Sequence, residues 1–282
     1  FFVGLSSALF HVPSPVMMKK VSEKNVGVGM SLFAVGGELA RTIGPIIILG
    51  AISLWGFEGT YRLIPLGIIS SGFLFFSLRK IEVSEETKKK SSKISTTIKD
   101  FMPLIIIILG FNFFTAIMKT SLTVYLPTYL NLKGESLWFA GISLSVFELA
   151  GVAGTLISGF ISNKIGRKRL LVIVSLISPV LMYIFSQAST IFVFPVLVLL
   201  GLFIFASTPV ILSLVVEVKS DRPSFINSIY MAISFAIGAI ATILVGVMAD
   251  KFNLQNTYEI ASFVALGAVP FTMLLKEKEP VK

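Results

Sequence analysis

Nine times between Phe1 and Leu275 the chain runs apolar for about 20 residues, the length of helix that crosses the hydrocarbon of a bilayer. The runs fall at approximately 1–18, 28–54, 63–78, 101–128, 137–161, 169–187, 190–215, 227–249 and 257–275. No packing in water accommodates so many. Of the 282 residues, 55% are hydrophobic and 14% charged, against about 25% charged in an average soluble domain. Surface-to-volume scaling would leave much of that apolar surface facing solvent. The expected fold is therefore all-α and integral to a membrane, since a helix satisfies its own backbone hydrogen bonds where water cannot.

The charges sort by side. Alternation of the nine runs puts the gaps at 19–27, 79–100, 162–168 and 216–226, with the tail after 275, on one face. Those segments and their margins hold nineteen of the 24 Lys and Arg, from Lys19 and Lys20 to Lys282. Arg62, Lys133 and Lys251 lie opposite, and Arg41 and Lys119 fall within runs. Basic loops stay on the cytoplasmic side, so the linker and C-terminus are expected there, in a cell (inner or plasma) membrane. The net charge of +9 is then a matter of topology and gives no reason to expect nucleic acid. No Cys and a single His leave no thiolate or His-rich metal site. Neither a Walker loop nor a Ser-His-Asp spacing appears, so an enzyme or an ATP-driven pump is not expected, and no cofactor beyond a proton gradient.

The chain also echoes itself. Residues 21–45 lie over 218–243 at an offset of about 198, which sets Ser22, Glu23 and Lys24 on Ser220, Asp221 and Arg222. A basic turn, a helix rich in small residues, a short opposite loop and a further helix recur in the same order. That is a parallel repeat about an axis along the membrane normal. The polar stretch 79–100 then links two halves, too charged to pack a core.

The densest basic knot, GFISNKIGRKR at 159–169, resembles the major facilitator signature G-x-x-x-[DN]-[RK]-x-G-R-[RK]-x between the second and third helices of each half. Gly159 admits a close helix, Gly166 a tight turn, and Lys164, Arg167, Lys168 and Arg169 hold the turn at anionic headgroups. The family's acidic latch position is Asn163 here, which keeps hydrogen bonds and loses charge. The resemblance implies a major facilitator fold with nine of twelve transmembrane helices present. Residues 1–78 are then an incomplete first half (helices four to six), 79–100 the linker and 101–282 a six-helix second half. The chain opens inside an apolar run without Met, as expected of a piece whose first three helices lie outside it. GLSSALFHVPSP (4–15) followed by GMSLFAVGGELARTIGP (29–45) is similar to the fosmidomycin-resistance branch. Gly36, Gly37, Gly44 and Pro45 echo the glycine-proline motif of the fifth helix in drug:proton antiporters, and small residues at this spacing are expected to pack tightly on another helix.

Ionisable groups inside hydrocarbon are functional candidates by their cost. Glu38 and Arg41, three apart on one helix, read either as a structural ion pair or as proton carrier and anion-binding cation. Lys119 and Glu148 sit midway along their runs, as a mutual pair or as cavity-lining groups. His11, beside Pro13 and Pro15, titrates near neutrality. Glu217 reads as an interfacial charge. Asn112, Tyr125 and Tyr129 read as substrate contacts, with Tyr129 equally at home in the interfacial aromatic belt. The resemblance implies a secondary transporter, monomeric, exporting a small anionic or amphiphilic molecule against protons by alternating access. An uptake facilitator of the same fold, or a non-transporting sensor or scaffold, are the alternatives.

Overall fold

A computed structural model describes residues 2–22, 25–79, 94–218, 220 and 223–275. Residues 80–93 of the linker, the 276–282 tail and Glu23, Lys24, Asp221 and Arg222 of the repeat lie outside them. The first run is two helices, α1 (Phe2–His11) and α2 (Ser14–Ser22), separated where Pro13 has no N–H to donate. α3 follows as Val26–Trp55 and stops at Gly56, whose φ of 73° suits glycine. A 3₁₀ turn at Glu58–Leu63 leads into α4, Ile64–Leu78, which starts with Pro65 in its first turn, where a missing donor costs nothing.

The second part of the chain runs α5 (Ile94–Val124), α6 (Leu126–Leu132), α7 (Leu137–Ile165), α8 (Arg167–Gln187), α9 (Thr190–Val216), α10 (Pro223–Ala265) and α11 (Ala268–Leu274). Ser136 caps α7, its hydroxyl accepting the Phe139 N–H at 3.1 Å. α7 and α8 are separated by Gly166 alone, at φ 93°, which is the sharp turn read from the signature.

Seven stretches among the described residues are long and apolar enough to cross a membrane, against the nine expected. Two local breaks account for the difference. The 52-residue stretch Pro223–Leu274 is more than twice a crossing and reverses at Asn253, at φ 64°, whose side chain accepts the Asn256 N–H and starts a new helix. Reversal is visible in the packing: Ile226 and Leu275 share one apolar cluster with Ile108 and Leu170, while Val245 and Leu254 share another with Tyr129 and Phe185. The broken first run makes up the ninth, neither piece being long enough by itself.

The ends of the bundle are called here basic (Lys19, Arg79, Lys164, Arg167) and far (Glu58–Leu63, Lys133). Between the halves the principal apolar contact is near the basic end. Val26 and Met30 of α3 close on Leu212 and Val216 of α9, with Met18, Tyr230 and Met231 around them. In a bilayer the gain from such a contact is close packing of side chains rather than escape from water.

Candidate functional site

α3 and α7 cross where neither has a side chain. A Cβ on Gly27 would strike the side chain of Asn163, and one on Gly159 would strike Ser31 and the Gly27 backbone. The closeness read from Gly159 in the sequence is realised against Gly27, its glycine counterpart. From that crossing the helices run in opposite chain directions toward the far end. Glu38 is eleven residues beyond Gly27 and Glu148 eleven before Gly159. Eleven residues are three turns, so each carboxylate stands on the face that makes the crossing, about 16 Å away along its helix. That is half of a roughly 30 Å hydrocarbon layer, so a crossing at one membrane surface would set both at the midplane.

Four of the five ionisable candidates, Glu38, Arg41, Lys119 and Glu148, lie within one another's electrostatic reach, and His11 within that of Arg41. Arg41 Nη2 donates to Glu38 Oε1 at 2.8 Å. Glu38 is buried, whereas the Arg41 side chain is 58% exposed and reaches into open space. Lys119 of α5 feels Glu38, Arg41 and Glu148, and its Nζ lies 4.6 Å above the ring of Phe205. Glu148 feels Glu38, Arg41 and Lys119, and His11 of α1 feels Arg41. Neither a simple Glu38–Arg41 pair nor a simple Lys119–Glu148 pair describes this; two carboxylates and two cations from three helices share one field. Among the described residues, Glu38 Oε2 and Glu148 Oε2 are buried with no hydrogen-bond partner. A buried carboxylate oxygen without a donor is costly as an anion and is relieved by binding a proton.

At the basic end the signature loop is tied to α9. Arg167 forms a bidentate ion pair with Glu217, both carboxylate oxygens accepting, with 14% and 20% of the side chains exposed. Fork-to-fork pairing fixes direction as well as distance. Glu217 is therefore the partner of the signature arginine, a role its position one residue past an apolar run did not announce. Lys164 is exposed and Lys168 half-buried. Asn163, in the latch position, lies on Gly27.

The glycine-proline motif does not pack as expected. Among the described residues, nothing comes within 4 Å of a Cβ at Gly36, Gly37, Gly44 or Gly50. Gly36 and Gly37 lie off the face that carries buried Ala34 and Glu38, and the tight glycine contact of α3 is made at Gly27. The side chain of Pro45 lies outside the description. The polar residues read as substrate contacts on α5 and at α6 are occupied otherwise. Asn112 donates to Ser234 at 3.1 Å, and Tyr125 to the Thr242 carbonyl at 3.0 Å. Tyr129 is 2% exposed, stacked on Tyr258 at 4.2 Å and bonded to Gln255 and the Ser186 carbonyl, so it is a core residue and no belt aromatic. Beside it Lys133 donates to the same carbonyl at 3.0 Å, and burial pulls its ammonium below the usual lysine range.

Residues 1–241 match the family model described as Major Facilitator Superfamily. The chain belongs to that superfamily. It is 24% identical over 274 residues to the fosmidomycin resistance protein of Escherichia coli strain K12, covering 94% of this chain and 66% of that protein. It is 23% identical over 287 residues to YfnC of Bacillus subtilis strain 168, described as an uncharacterized MFS-type transporter, covering 99% of this chain and 70% of the relative. The chain thus spans about two thirds of the length of these relatives. Among solved structures it resembles the transporter FucP in the outward conformation, with a TM-score of 0.72 at 15% identity, over 89% of this chain and 68% of that one. A single-site variant of the E. coli fucose:proton symporter FucP gives 0.74 at 15%, over 94% and 72%. The all-α membrane fold of this superfamily is thereby shown, and this is a multi-pass membrane protein of a transporter family.

Proposed function

We propose that the intact protein is a proton-coupled exporter of a small anionic or amphiphilic molecule. The observation that carries this is the midplane cluster. Arg41 and Lys119 supply cations for an anion, while Glu38 and Glu148 each hold a buried oxygen with no donor and so a place for a proton. A substrate whose own donor groups occupy those carboxylate oxygens excludes the proton from them, and that competition gives antiport. While Glu38 holds Arg41, Lys119 is the cation left to the substrate's acidic group. Alternating access follows from the halves rocking about the glycine crossing. The similarity to a resistance protein supports export. The positive-inside bias supports a cytoplasmic basic end in a cell membrane. One protomer carries the whole cluster, which fits a monomer.

Reconstitution of the intact protein in proteoliposomes under an imposed pH gradient tests this. Protons running downhill should drive a small organic anion uphill in the opposite direction. Movement in the same direction as the protons would overturn export, and the absence of any gradient-driven flux would overturn the coupling.

A further inference from the structure

The break between α1 and α2 leaves a specific chemical need. Pro15 has no N–H to give the carbonyl of His11, four residues back, so that oxygen has lost its normal helical donor in a region poor in water. The donor comes from the other half of the molecule. Asn227 of α10, fully buried, gives its Nδ2 hydrogens to His11 O at 3.1 Å and to Val12 O at 2.8 Å, a contact spanning 216 residues of sequence. Its Oδ1 is buried without a partner among the described residues, so this amide is committed to donation and gains nothing else where it sits. The contact joins the break after α1 to the first turns of α10, whose Tyr230 and Met231, one turn further on, pack on the apolar plug of Met30, Leu212 and Val216.

We propose that Asn227 is the latch that holds the basic end shut, by capping the His11 carbonyl that Pro15 has set free together with the adjoining Val12 carbonyl. The arrangement is bistable for a physical reason. With the halves together, two buried carbonyls and the Asn227 amide satisfy one another. With the halves apart, water enters and satisfies all three. No residue needs to change its own helix, and the switch between the states costs little more than the difference between a protein and a water hydrogen bond. A side chain that read only helix-internal groups could not report on the separation of the halves; this one does.

The chain contains no Cys, so single thiols report cleanly. In the intact protein, Met30→Cys lies under the closed plug, fully buried, and Ile43→Cys is 46% exposed toward the far end. Membrane-impermeant maleimide is applied to each from its own side. Asn227→Leu, which removes both donors, should raise Met30→Cys labelling about tenfold and lower Ile43→Cys labelling, with Asn227→Ser between. In a Pro15→Ala background the His11 carbonyl regains a backbone donor, so Asn227→Leu should raise labelling by a smaller factor. Unchanged labelling in both Asn227 variants overturns the latch. So does a parallel rise at both reporters, which means general loosening. An equal Asn227→Leu factor with and without Pro15 also overturns it, because the freed carbonyl is then not what Asn227 serves. If Asn227→Leu fails to insert, Asn227→Ser carries the same comparisons. The inference rests on the halves moving, and the readout involves neither substrate nor protons. Failure of proton-coupled export would leave these outcomes intact.

Discussion

The two lengths of α3 make opposite use of similar residues. From Val26 to Glu38 one face of the helix is packed: Val26, Met30, Ser31, Ala34 and Glu38 are all buried and Gly27 touches α7, while Gly36 and Gly37, off that face, touch nothing among the described residues. From Leu39 to Gly50 it is open: Leu39, Arg41, Ile43 and Ile47 are exposed, and the glycines at 44 and 50 touch nothing among the described residues. Small residues therefore mark where a helix can approach another, and the side chains opposite decide whether it does. The boundary between the two lengths falls at Glu38 and Arg41, where packing stops and charge begins. A buried carboxylate and an exposed guanidinium on adjacent turns are the signature of an edge between protein interior and an accessible space.

The sharpest way to break this contrast is to put the same bulk on each length. Gly159→Leu drives a side chain into Ser31 and the Gly27 backbone, and should cost about 3 kcal/mol or abolish folding. Gly44→Leu should leave the melting temperature of the purified protein within the error set by about 0.5 kcal/mol. Equal losses at both would mean that the open length is packed in the working protein.

At the boundary itself the two partners should not be equivalent. Arg41→Met strands a buried carboxylate. The expected loss is about 2 kcal/mol, below the ~3–5 kcal/mol of a fully buried pair because Arg41 meets solvent. Glu38→Gln leaves a cation already in the open, and should cost less than about 1 kcal/mol. Thermal denaturation in detergent separates them, and a larger loss for Glu38→Gln would reverse the assignment of interior and edge.

Further toward the basic end, Arg167→Ala should slow transport while insertion stays intact, at about 1–2 kcal/mol of stability lost from a partly buried charge-assisted pair. The exchange Arg167→Glu with Glu217→Arg should recover part of the flux. No recovery, with wild-type flux in Arg167→Ala, would make the knot a topological signal only. The smallest effect belongs at the far end. Tyr129→Phe loses a hydroxyl bonded to Gln255 and the Ser186 carbonyl, for about 1 kcal/mol, with transport unchanged.

What could be read from the sequence follows the range of the interaction. The spans, the Gly166 turn and the Glu38–Arg41 contact are all local, set by hydropathy or by a spacing of three residues on a helix. Arg167 with Glu217, Gly27 against Gly159 and Asn227 on the His11 carbonyl join residues 50, 132 and 216 apart. Each needs the relative placement of two helices, which periodicity does not encode. The reversal between the last two runs is legible in the polar gap at 250–256, but not that Asn253 makes it, since an Asn in left-handed conformation stands where a Gly or Pro is expected. The glycine-proline motif misled because its composition permits packing that α3 does not make along this length.

The central claim, that the Glu38 carboxyl exchanges the coupling proton, is tested most directly by one comparison on the double variant Glu38→Gln with Arg41→Met. Removing both charges avoids stranding either, so expression should return toward that of the unaltered protein. Lys119 is left to bind the anion, so proteoliposomes carrying the variant should still exchange labelled for unlabelled substrate across equal, raised concentrations, yet fail to accumulate substrate against its gradient when a pH difference is imposed. Uphill accumulation by the double variant at the rate of the unaltered protein would remove Glu38 from the proton path and contradict the account.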